Sequence, residues 1–474
     1  MTSVAAVSGR TADQILARQR AAFVRDAPPS LRERRADLKK LRAAILARRA
    51  AIERALDADF GHRSRHETAM LEMVSVVQGI DYLHRNLRHF MAPERRRVAM
   101  VFRFASARIE YQPLGVIGII APWNYPLALA LMPLATAIAA GNRAMVKPSE
   151  FTPETSRLLA AILADTFPEE QAAVVRGDAA VGAAFAALPF DHLLFTGSTA
   201  VGRAVMRAAS DNLVPVTLEL GGKSPVIVAP GYADDRVAGT IALGKLANAG
   251  QTCTAPDYVM VHEDDVKAFA TAYGRAVAAL YPDGPASDDY TSIINDRHFG
   301  RLRRLIDDAH AKGARVTDVG ARPESAQGRP CTLAPTLVLG ATDDMAIMQE
   351  EIFGPVLPVL IYGTIEEAIA YVNAHPRPLS LYYFGGDDGD RRKVLSRTTS
   401  GNVGINTTMM YYPQDDLPFG GVGASGMGAY HGIEGFRRMS HAKGIYVQGR
   451  WNVSDLMRPP LRRLADAILG MMLR

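Results

Sequence analysis

Short apolar runs alternate with segments of helical periodicity over residues 114–219, and the pattern resumes up to residue 406. The first series contains VIGII, RAMVKP, AAVVRGD, DHLLFTG and VPVTLEL, and the second extends from SPVIVA to GNVGIN. Strands that alternate with helices pack as a parallel sheet with helices on both faces. The sequence therefore predicts an α/β fold with two doubly wound parallel sheets.

Composition and charge narrow the classes of function. The 474 residues are 48% hydrophobic and 22% charged, which is typical of a globular enzyme. A net charge of +5 over this length, with no basic stripe interleaved with aromatics, argues against a nucleic-acid partner. Two cysteines exclude a disulfide scaffold, and the first 25 residues lack the apolar core of a signal peptide. We therefore expect a cytoplasmic protein.

An uncharged segment, residues 111–142, is long enough to cross a membrane. It is divided by Pro113, Pro122, Pro126 and Pro133. GVIGII is typical of a buried parallel strand, and LALALMPLATAIAA of a helix packed inside a large protein. The sequence therefore predicts no integral membrane segment here.

The C-terminal segment, residues 458–474, is predicted to form an amphipathic helix. Its apolar side chains share one face: Leu461, Leu464, Ala465, Ile468, Leu469, Met472 and Leu473. Docking of this face on the same protein or on a partner subunit is favoured. Weak peripheral contact with a membrane is the alternative.

The stretch HLLFTGSTAVGRAVMRAAS has the strand, tight turn and helix of a dinucleotide-binding motif. Gly197 and Gly202 have the spacing of its first and third glycines, but Thr199 replaces the middle one. A helix N-terminus here, at Ser198 and Thr199, offers N–H groups to a pyrophosphate. A glycine-containing turn without a ligand is the competing interpretation.

Two candidates compete for the ribose of such a cofactor. Glu219 lies 22 residues after Gly197, where the motif places a ribose-binding acid. Lys147 and Glu150 follow another predicted strand, in MVKPSE, and both could bind ribose hydroxyls. Spacing alone does not decide between them.

Cys253 lies in NAGQTCTAPD, among small and turn-forming residues. A buried structural cysteine is usually surrounded by branched apolar residues, so this thiol is predicted to be accessible to a substrate. Such a thiol is expected to be partly ionised near neutral pH. Cys331 matches no motif and is interpreted as a packing or loop residue.

Seven motifs occur in order between about residues 105 and 445. They are PWNYP, KPSE, FTGSTAVG, LELGGKSP, GQTCTAPDY, EEIFGPV and LPFGGVGASGMGAYHG. In these motifs the chain resembles the aldehyde dehydrogenase superfamily, and GQTCTAPDY with the basic, apolar tail resembles its class 3 branch. The resemblance implies an aldehyde dehydrogenase-like fold with a small projecting oligomerisation sheet.

The resemblance also implies catalytic roles. It makes Cys253 the nucleophile, Glu219 the general base and Asn124 the donor to the oxyanion. The presence of both Cys253 and Glu219 favours release of a free carboxylic acid through a thiohemiacetal and a thioester. It implies no metal.

Cofactor-binding residues follow from the same resemblance. Lys147 and Glu150 are assigned to the adenosine ribose, and Glu351 and Phe353 to the nicotinamide ribose and ring. The full predicted set is Trp123, Lys147, Glu150, Gly197, Ser198, Thr199, Gly202, Glu351 and Phe353. NAD is the favoured cofactor, because Glu150 should repel a 2′-phosphate, and NADP is the alternative because Lys147 could pair with one.

The resemblance divides the chain into functional parts. Residues 1–102 and 114–219 are expected to form the NAD-binding domain, and 220–430 the catalytic domain. Residues 103–113 and 431–449 are expected to supply oligomerisation strands, and 450–474 the tail. Because such strands leave open edges, we expect a homodimer.

The substrate is expected to be a small-molecule aldehyde of apolar or aromatic character. Tyr125, Tyr411, Tyr412 and Phe419 occur near the expected substrate funnel. A long-chain aliphatic aldehyde is the alternative substrate. A non-catalytic protein on the same fold, and a thiol hydrolase that would need a histidine paired with Cys253, are the alternatives of other classes.

Overall fold

The computed structural model of the chain describes residues 10–99, 102, 104–320, 329–386, 389–451, 459–461 and 463–473. Its strands in chain order are β1 Glu94–Arg96, β2 Ser106–Pro113, β3 Val116–Ile120, β4 Arg143–Lys147, β5 Ala172–Val174, β6 His192–Thr196, β7 Val216–Glu219, β8 Pro225–Val228, β9 Tyr258–His262, β10 Arg315–Asp318, β11 Thr336–Leu339, β12 Val356–Tyr362, β13 Ser380–Phe384, β14 Asn402–Ile405, β15 Gly426–Met427 and β16 Ser440–Val447. Its α-helices are α1 Ala12–Arg25, α2 Leu31–Ala47, α3 Arg49–Phe60, α4 Arg65–Glu67, α5 Ser75–Phe90, α6 Ala128–Ala140, α7 Pro153–Thr166, α8 Ala179–Ala186, α9 Thr199–Ser210, α10 Asp235–Leu246, α11 Val266–Leu280, α12 Asp296–Ala311, α13 Ala346–Gln349, α14 Ile365–Ala374, α15 Gly389–Arg397, α16 Gly432–Arg438 and α17 Arg463–Met472.

The first alternating series forms a six-stranded sheet in the order β15-β7-β6-β3-β4-β5. Strands β3 to β7 are parallel, as predicted, and the short β15 adds antiparallel to β7. The chain proceeds from β3 outward through β4 and β5, and then returns to the other side of β3 for β6 and β7. Ligands bind doubly wound sheets at such a reversal, outside the carboxyl ends of the strands.

The second alternating series forms a seven-stranded sheet in the order β10-β11-β12-β9-β8-β13-β14. Its strands are parallel except β10, which pairs antiparallel with β11. The turn that carries Cys253 leads directly into β9, near the centre of this sheet. The prediction of a second doubly wound sheet is thereby confirmed.

A third sheet contains three antiparallel strands in the order β1-β2-β16. β2 pairs with β16 over eight residues, from Ser106 opposite Val447 to Pro113 opposite Ser440. The strand-like character of both segments is confirmed, whereas β1 was not predicted. This sheet is largely exposed, and the outer edge of β16 has no neighbouring strand among the described residues.

The uncharged segment is part of the core. Within it β3 is buried at four of its five residues, and every residue of α6 is buried, including Pro133 inside the helix. Helix α6 ends at Gly141, whose φ of 89° is the left-handed conformation that glycine adopts most readily. Among the described residues, no helix is both long enough and apolar enough to cross a membrane.

The predicted C-terminal helix is present as α17. Ala465 is buried, whereas Leu464, Leu469 and Leu473 are exposed in the single chain. The apolar face therefore remains largely uncovered by the described residues of its own chain.

Candidate active site

The carboxyl ends of neighbouring strands in the first sheet bring several predicted residues to one edge. Trp123 and Asn124 lie shortly after β3, Lys147 ends β4, and Gly197 follows β6. Glu219 ends β7, and its carbonyl accepts a hydrogen bond from the Gly197 N–H at 3.0 Å. The candidate site therefore lies where the strand order reverses.

The turn before Cys253 has an unusual backbone. Asn248, Ala249 and Gly250 are consecutive residues with φ near +50° to +77°. At Gly250 a Cβ atom would lie 2.3 Å from the Gly354 carbonyl oxygen, so only glycine fits there. This compact turn presents Cys253, which is half-buried and carries a free thiol.

The side chain of Asn124 is held close to this turn. Its amide nitrogen donates a hydrogen bond to the Gln251 carbonyl oxygen at 3.0 Å, two residues before Cys253. Its backbone carbonyl accepts hydrogen bonds from the Asn248 side chain at 3.1 Å and from Arg63 at 2.9 Å. The predicted oxyanion donor and the nucleophile turn are thus fixed relative to one another.

A buried layer of charged side chains, which was not predicted from the sequence, supports the Asn124 segment and the turn before Cys253. Arg63 lies 3.6 Å from Glu72, and both side chains are fully buried. Glu67 accepts a hydrogen bond from the Asn248 N–H at 2.9 Å. Arg63 is therefore a positioning residue for Asn124, and Glu67 holds the strained turn.

Glu219 is buried, with 3% of its surface exposed, and neither carboxylate oxygen has a hydrogen-bond partner among the described residues. Burial without a partner disfavours the charged form and raises the pKa of this carboxyl well above its usual range. A carboxyl group whose pKa is raised in this way is a stronger base in its ionised form than an exposed one.

The environment of Cys253 is less favourable for ionisation than the sequence indicated. Burial raises the pKa of its thiol to about 12, and the charges of Glu351 and Glu219 raise it further. The expectation of a partly ionised thiol is therefore wrong for this resting site. Both carboxyl groups lie close enough to the thiol to influence its pKa, so the structure places Glu219 and Glu351 near Cys253.

Glu351 approaches the same site from the loop before β12. A Cβ atom on Gly221 would lie 2.0 Å from a Glu351 carboxylate oxygen, so this glycine allows the close approach. Burial, and secondarily Asp257, raise the pKa of Glu351 to about 8. The carboxyl is therefore mostly neutral at pH 7.

The phosphate motif forms the predicted strand, turn and helix. Ser198 caps α9, its hydroxyl accepting from the Val201 N–H, and the Thr199 hydroxyl donates to the Ala424 carbonyl at 3.1 Å. A Cβ atom on Gly202 would lie 2.6 Å from Leu220, so this glycine lets the helix pack closely on the sheet. These are the roles of the helix N-terminus and third glycine in dinucleotide binding.

The other predicted cofactor residues fall into two groups. Lys147 is buried, and its ammonium donates to the exposed Glu150 carboxylate at 2.8 Å. Trp123 contacts Phe353 with ring centroids 5.3 Å apart and His298 at 4.8 Å. The first group lies at the end of β4, and the second forms an aromatic cluster with the loop that carries Phe353.

Several aromatic side chains lie near the Cys253 thiol. Tyr125, Tyr411 and Tyr412 are near enough to Cys253 for its charge to influence their pKa values. Phe419 stacks on Tyr411 and contacts Tyr412, so three of the four predicted aromatic residues form one cluster. Three further members of the cluster were not predicted from the sequence: Tyr382, Tyr430 and His431.

The signal for Tyr430 and His431 was present in the GAYHG part of the last motif, but aromatic periodicity did not single it out. Among the described residues, no group of three or more His, Cys, Asp or Glu side chains is placed to hold a metal ion.

The fold joins a doubly wound parallel sheet, with a helix N-terminus after β6, to a second sheet that presents a thiol. This arrangement suits an oxidoreductase that binds a dinucleotide and uses a cysteine nucleophile. The sequence profile described as the aldehyde dehydrogenase family matches residues 1–445. The chain belongs to the aldehyde dehydrogenase family. It therefore acts on aldehydes with NAD or NADP as the hydride acceptor, and complexes with NAD⁺ occur among the similar solved structures.

Individual relatives resemble the chain over most of its length. "Probable coniferyl aldehyde dehydrogenase" of Pseudomonas aeruginosa is 50% identical over 448 residues, covering 94% of this chain and 93% of the relative. "Coniferyl aldehyde dehydrogenase" of a Pseudomonas species is 48% identical over 460 residues, covering 97% and 95%. A solved structure, the substrate-bound state of Staphylococcus aureus AldH, aligns with a TM-score of 0.92 at 37% identity, covering 98% of this chain and 100% of that one.

Proposed function

We propose that this chain oxidises aromatic, phenolic aldehydes of the coniferyl aldehyde type to carboxylic acids with NAD(P)⁺. The two Pseudomonas relatives carry the name of that substrate, and the aromatic residues around Cys253 suit a planar ring. Two observations carry the catalytic assignment. The Asn124 side chain is hydrogen-bonded to the turn that presents Cys253, and the Glu219 carboxyl lies near enough to influence the pKa of the thiol.

The first step is addition of the Cys253 sulfur to the aldehyde carbon. The thiol must lose its proton, and ionised Glu219, whose carboxylate oxygens have no other described partner, is the group that accepts it. The carbonyl oxygen becomes an oxyanion as the carbon becomes tetrahedral. The Asn124 amide carries a second N–H beyond the one given to Gln251, and with the Cys253 backbone N–H it stabilises that charge.

NAD(P)⁺, when bound, would supply the acceptor for the hydride that leaves this tetrahedral carbon. Collapse of the oxyanion then leaves an acyl group on the Cys253 sulfur. Trp123 and Phe353, with Glu351, are proposed to hold the nicotinamide end. Lys147 and Glu150 are proposed to hold the adenosine ribose, with Gly197, Ser198, Thr199 and Gly202 at the pyrophosphate.

Hydrolysis of the acyl group completes the cycle. After the proton taken from the thiol has been released to solvent, Glu219 takes a proton from water and the resulting hydroxide attacks the thioester carbon. The Cys253 thiolate then leaves and recovers the proton from Glu219. The products are a carboxylic acid and a regenerated thiol. Burial of Glu219 supports this role because it raises the basicity of the ionised carboxylate.

We infer the division of labour along the chain from the same arrangement. Residues 1–102 with 114–219 bind the cofactor, 220–430 carry the nucleophile, and 103–113 with 431–449 form oligomerisation strands. The open edge of β16 supports a homodimer, with the tail of residues 450–474 at or near the interface. A cytoplasmic enzyme is consistent with the two free cysteines.

The substrate proposal is tested by comparing kcat/KM for coniferyl aldehyde, benzaldehyde and a long-chain aliphatic aldehyde, following reduced coenzyme at its near-ultraviolet absorbance. We expect coniferyl aldehyde to have the highest value. A higher kcat/KM for the aliphatic aldehyde would instead assign fatty aldehydes as the substrates of this protein. No reduction of coenzyme with any aldehyde would favour a non-catalytic protein.

A further inference from the structure

A small cavity lies at the carboxyl ends of β4 and β5. Its volume is about 200 Å³, and its lining includes Glu150, Arg157 and Arg176. Strands β4 and β5 are parallel neighbours, and the Val175 N–H donates to the Val146 carbonyl at 2.8 Å. Arg176 therefore lies at the same sheet edge as Lys147, where the adenosine ribose is proposed to bind.

The charges around this cavity are paired with one exception. Lys147 and Glu150 form an ion pair of 2.8 Å, and Arg157 is paired with Glu154. Arg176 makes no hydrogen bond or ion pair within the part of the chain that the structure describes, and its Nε atom is buried without a partner. A buried, unsatisfied guanidinium nitrogen is costly, so a retained one points to a ligand.

We propose that Arg176 binds the 2′-phosphate of NADP and so determines the coenzyme choice of this enzyme. A guanidinium suits phosphate because its planar N–H groups donate two parallel hydrogen bonds to phosphate oxygens. The 2′-hydroxyl of NAD brings no charge to this cavity. The proposal rests on the proposed assignment of Lys147 and Glu150 to the adenosine ribose.

Glu150 does not prevent this binding. Its carboxylate is already paired with the buried Lys147 ammonium, so the pair presents little net charge to the cavity. Arg176 then supplies the net positive charge that attracts the 2′-phosphate. The sequence analysis weighed only Lys147 and Glu150 when it favoured NAD and kept NADP as the alternative. Arg176 adds a residue that favours binding of NADP.

The test measures ligand binding directly by isothermal titration calorimetry, using adenosine 2′,5′-bisphosphate and adenosine 5′-monophosphate. The two probes differ only in the 2′-phosphate. In the Arg176→Gln variant we expect the bisphosphate to bind at least about tenfold more weakly, with binding of the monophosphate changed by less than about twofold. Arg207→Gln, an arginine in the last turn of α9 and outside the cavity lining, is the charge-matched control and should bind both as the wild type does.

Arg176→Lys is expected to recover part of the lost affinity, since an ammonium pairs with phosphate as a point charge. Equal affinities for the bisphosphate in wild type and Arg176→Gln, with normal binding of the monophosphate, would overturn the role of Arg176 alone. Failure of the wild type to bind either probe would instead overturn the adenosine assignment of Lys147 and Glu150, and this inference with it.

Discussion

The Asn124 side-chain amide donates a hydrogen bond of 3.0 Å to the Gln251 carbonyl, which ties the end of β3 to the turn that presents Cys253. Together with the hydrogen bond from the Asn248 side chain to the Asn124 backbone carbonyl at 3.1 Å, this contact joins the segment after β3 to the turn at the proposed reaction centre. Arg63 holds the same backbone carbonyl at 2.9 Å.

Replacing Asn124 by alanine removes the proposed side-chain donor to the oxyanion. We expect kcat to fall by about 10²–10³-fold, because a preorganised donor stabilises the charge that develops in the transition state. Asn142→Ala is the contrasting variant, since the Asn142 amide donates to the Met439 carbonyl at 2.8 Å and serves the fold. That variant should lose thermal stability and retain kcat per folded molecule. Similar losses of kcat in both variants would count against the assignment of Asn124.

Replacing Glu219 by glutamine removes the base but keeps the shape of the side chain. We expect one burst of reduced coenzyme per active site followed by slow turnover, because hydride transfer precedes the hydrolysis that needs the base. Stopped-flow absorbance measures both phases. Glu263→Gln, at an exposed position beyond β9, should show no burst and normal turnover. A weakened coenzyme affinity with no burst would return Glu219 to the cofactor site.

Glu351 makes stability depend on pH. Its pKa rises from 4.5 to about 8 on folding, so the folded state keeps a proton that the unfolded state releases. Its stabilising contribution is therefore present below pH 4.5 and is lost progressively as the pH rises to about 8. Between pH 4.5 and about 8, the midpoint of thermal unfolding of Glu351→Gln should rise relative to that of the wild type. For Glu350→Gln, a change at an exposed neighbouring position, the midpoint should depend on pH as it does in the wild type. The effect would be disproved if the midpoint of Glu351→Gln also ran parallel to that of the wild type across this pH range.

The C-terminal helix is predicted to act in assembly and not in chemistry. Helix α17 carries none of the proposed catalytic residues, so on deletion of residues 458–474 we expect kcat to be preserved while the oligomeric state or solubility changes. Multi-angle light scattering on the full-length protein should give a homodimer. A full-length monomer that is active at nanomolar concentration would contradict the interface proposed at β16.

Much of the fold was predictable because its signals are local. The strands of both parallel sheets coincide with short apolar runs, and a strand buried on both faces needs such a run. The antiparallel additions were not predictable in this way. β1 consists of Glu94, Arg95 and Arg96, and β15 of two residues, so neither shows an apolar pattern.

The supporting layer of the site could not be predicted because its contacts are distant in sequence. Glu67 reaches Asn248 across 181 residues, and Arg63 reaches Asn124 across 61. No local periodicity encodes such a contact. The ionisation of Cys253 was misjudged for the same reason, since burial and two remote carboxyl groups control it.

The central claim, a covalent acyl intermediate on Cys253, is tested most directly by mass spectrometry of the Glu219→Gln variant. The variant is mixed with aldehyde and NAD⁺, quenched after the burst and digested. The account predicts that the peptide containing Cys253 gains the mass of the acyl group, while the peptide containing Cys331 stays unmodified. Cys253→Ala under the same conditions should give no adduct and no reduced coenzyme. Substantial reduction of coenzyme by Cys253→Ala, or an acyl group carried on Cys331, would contradict it.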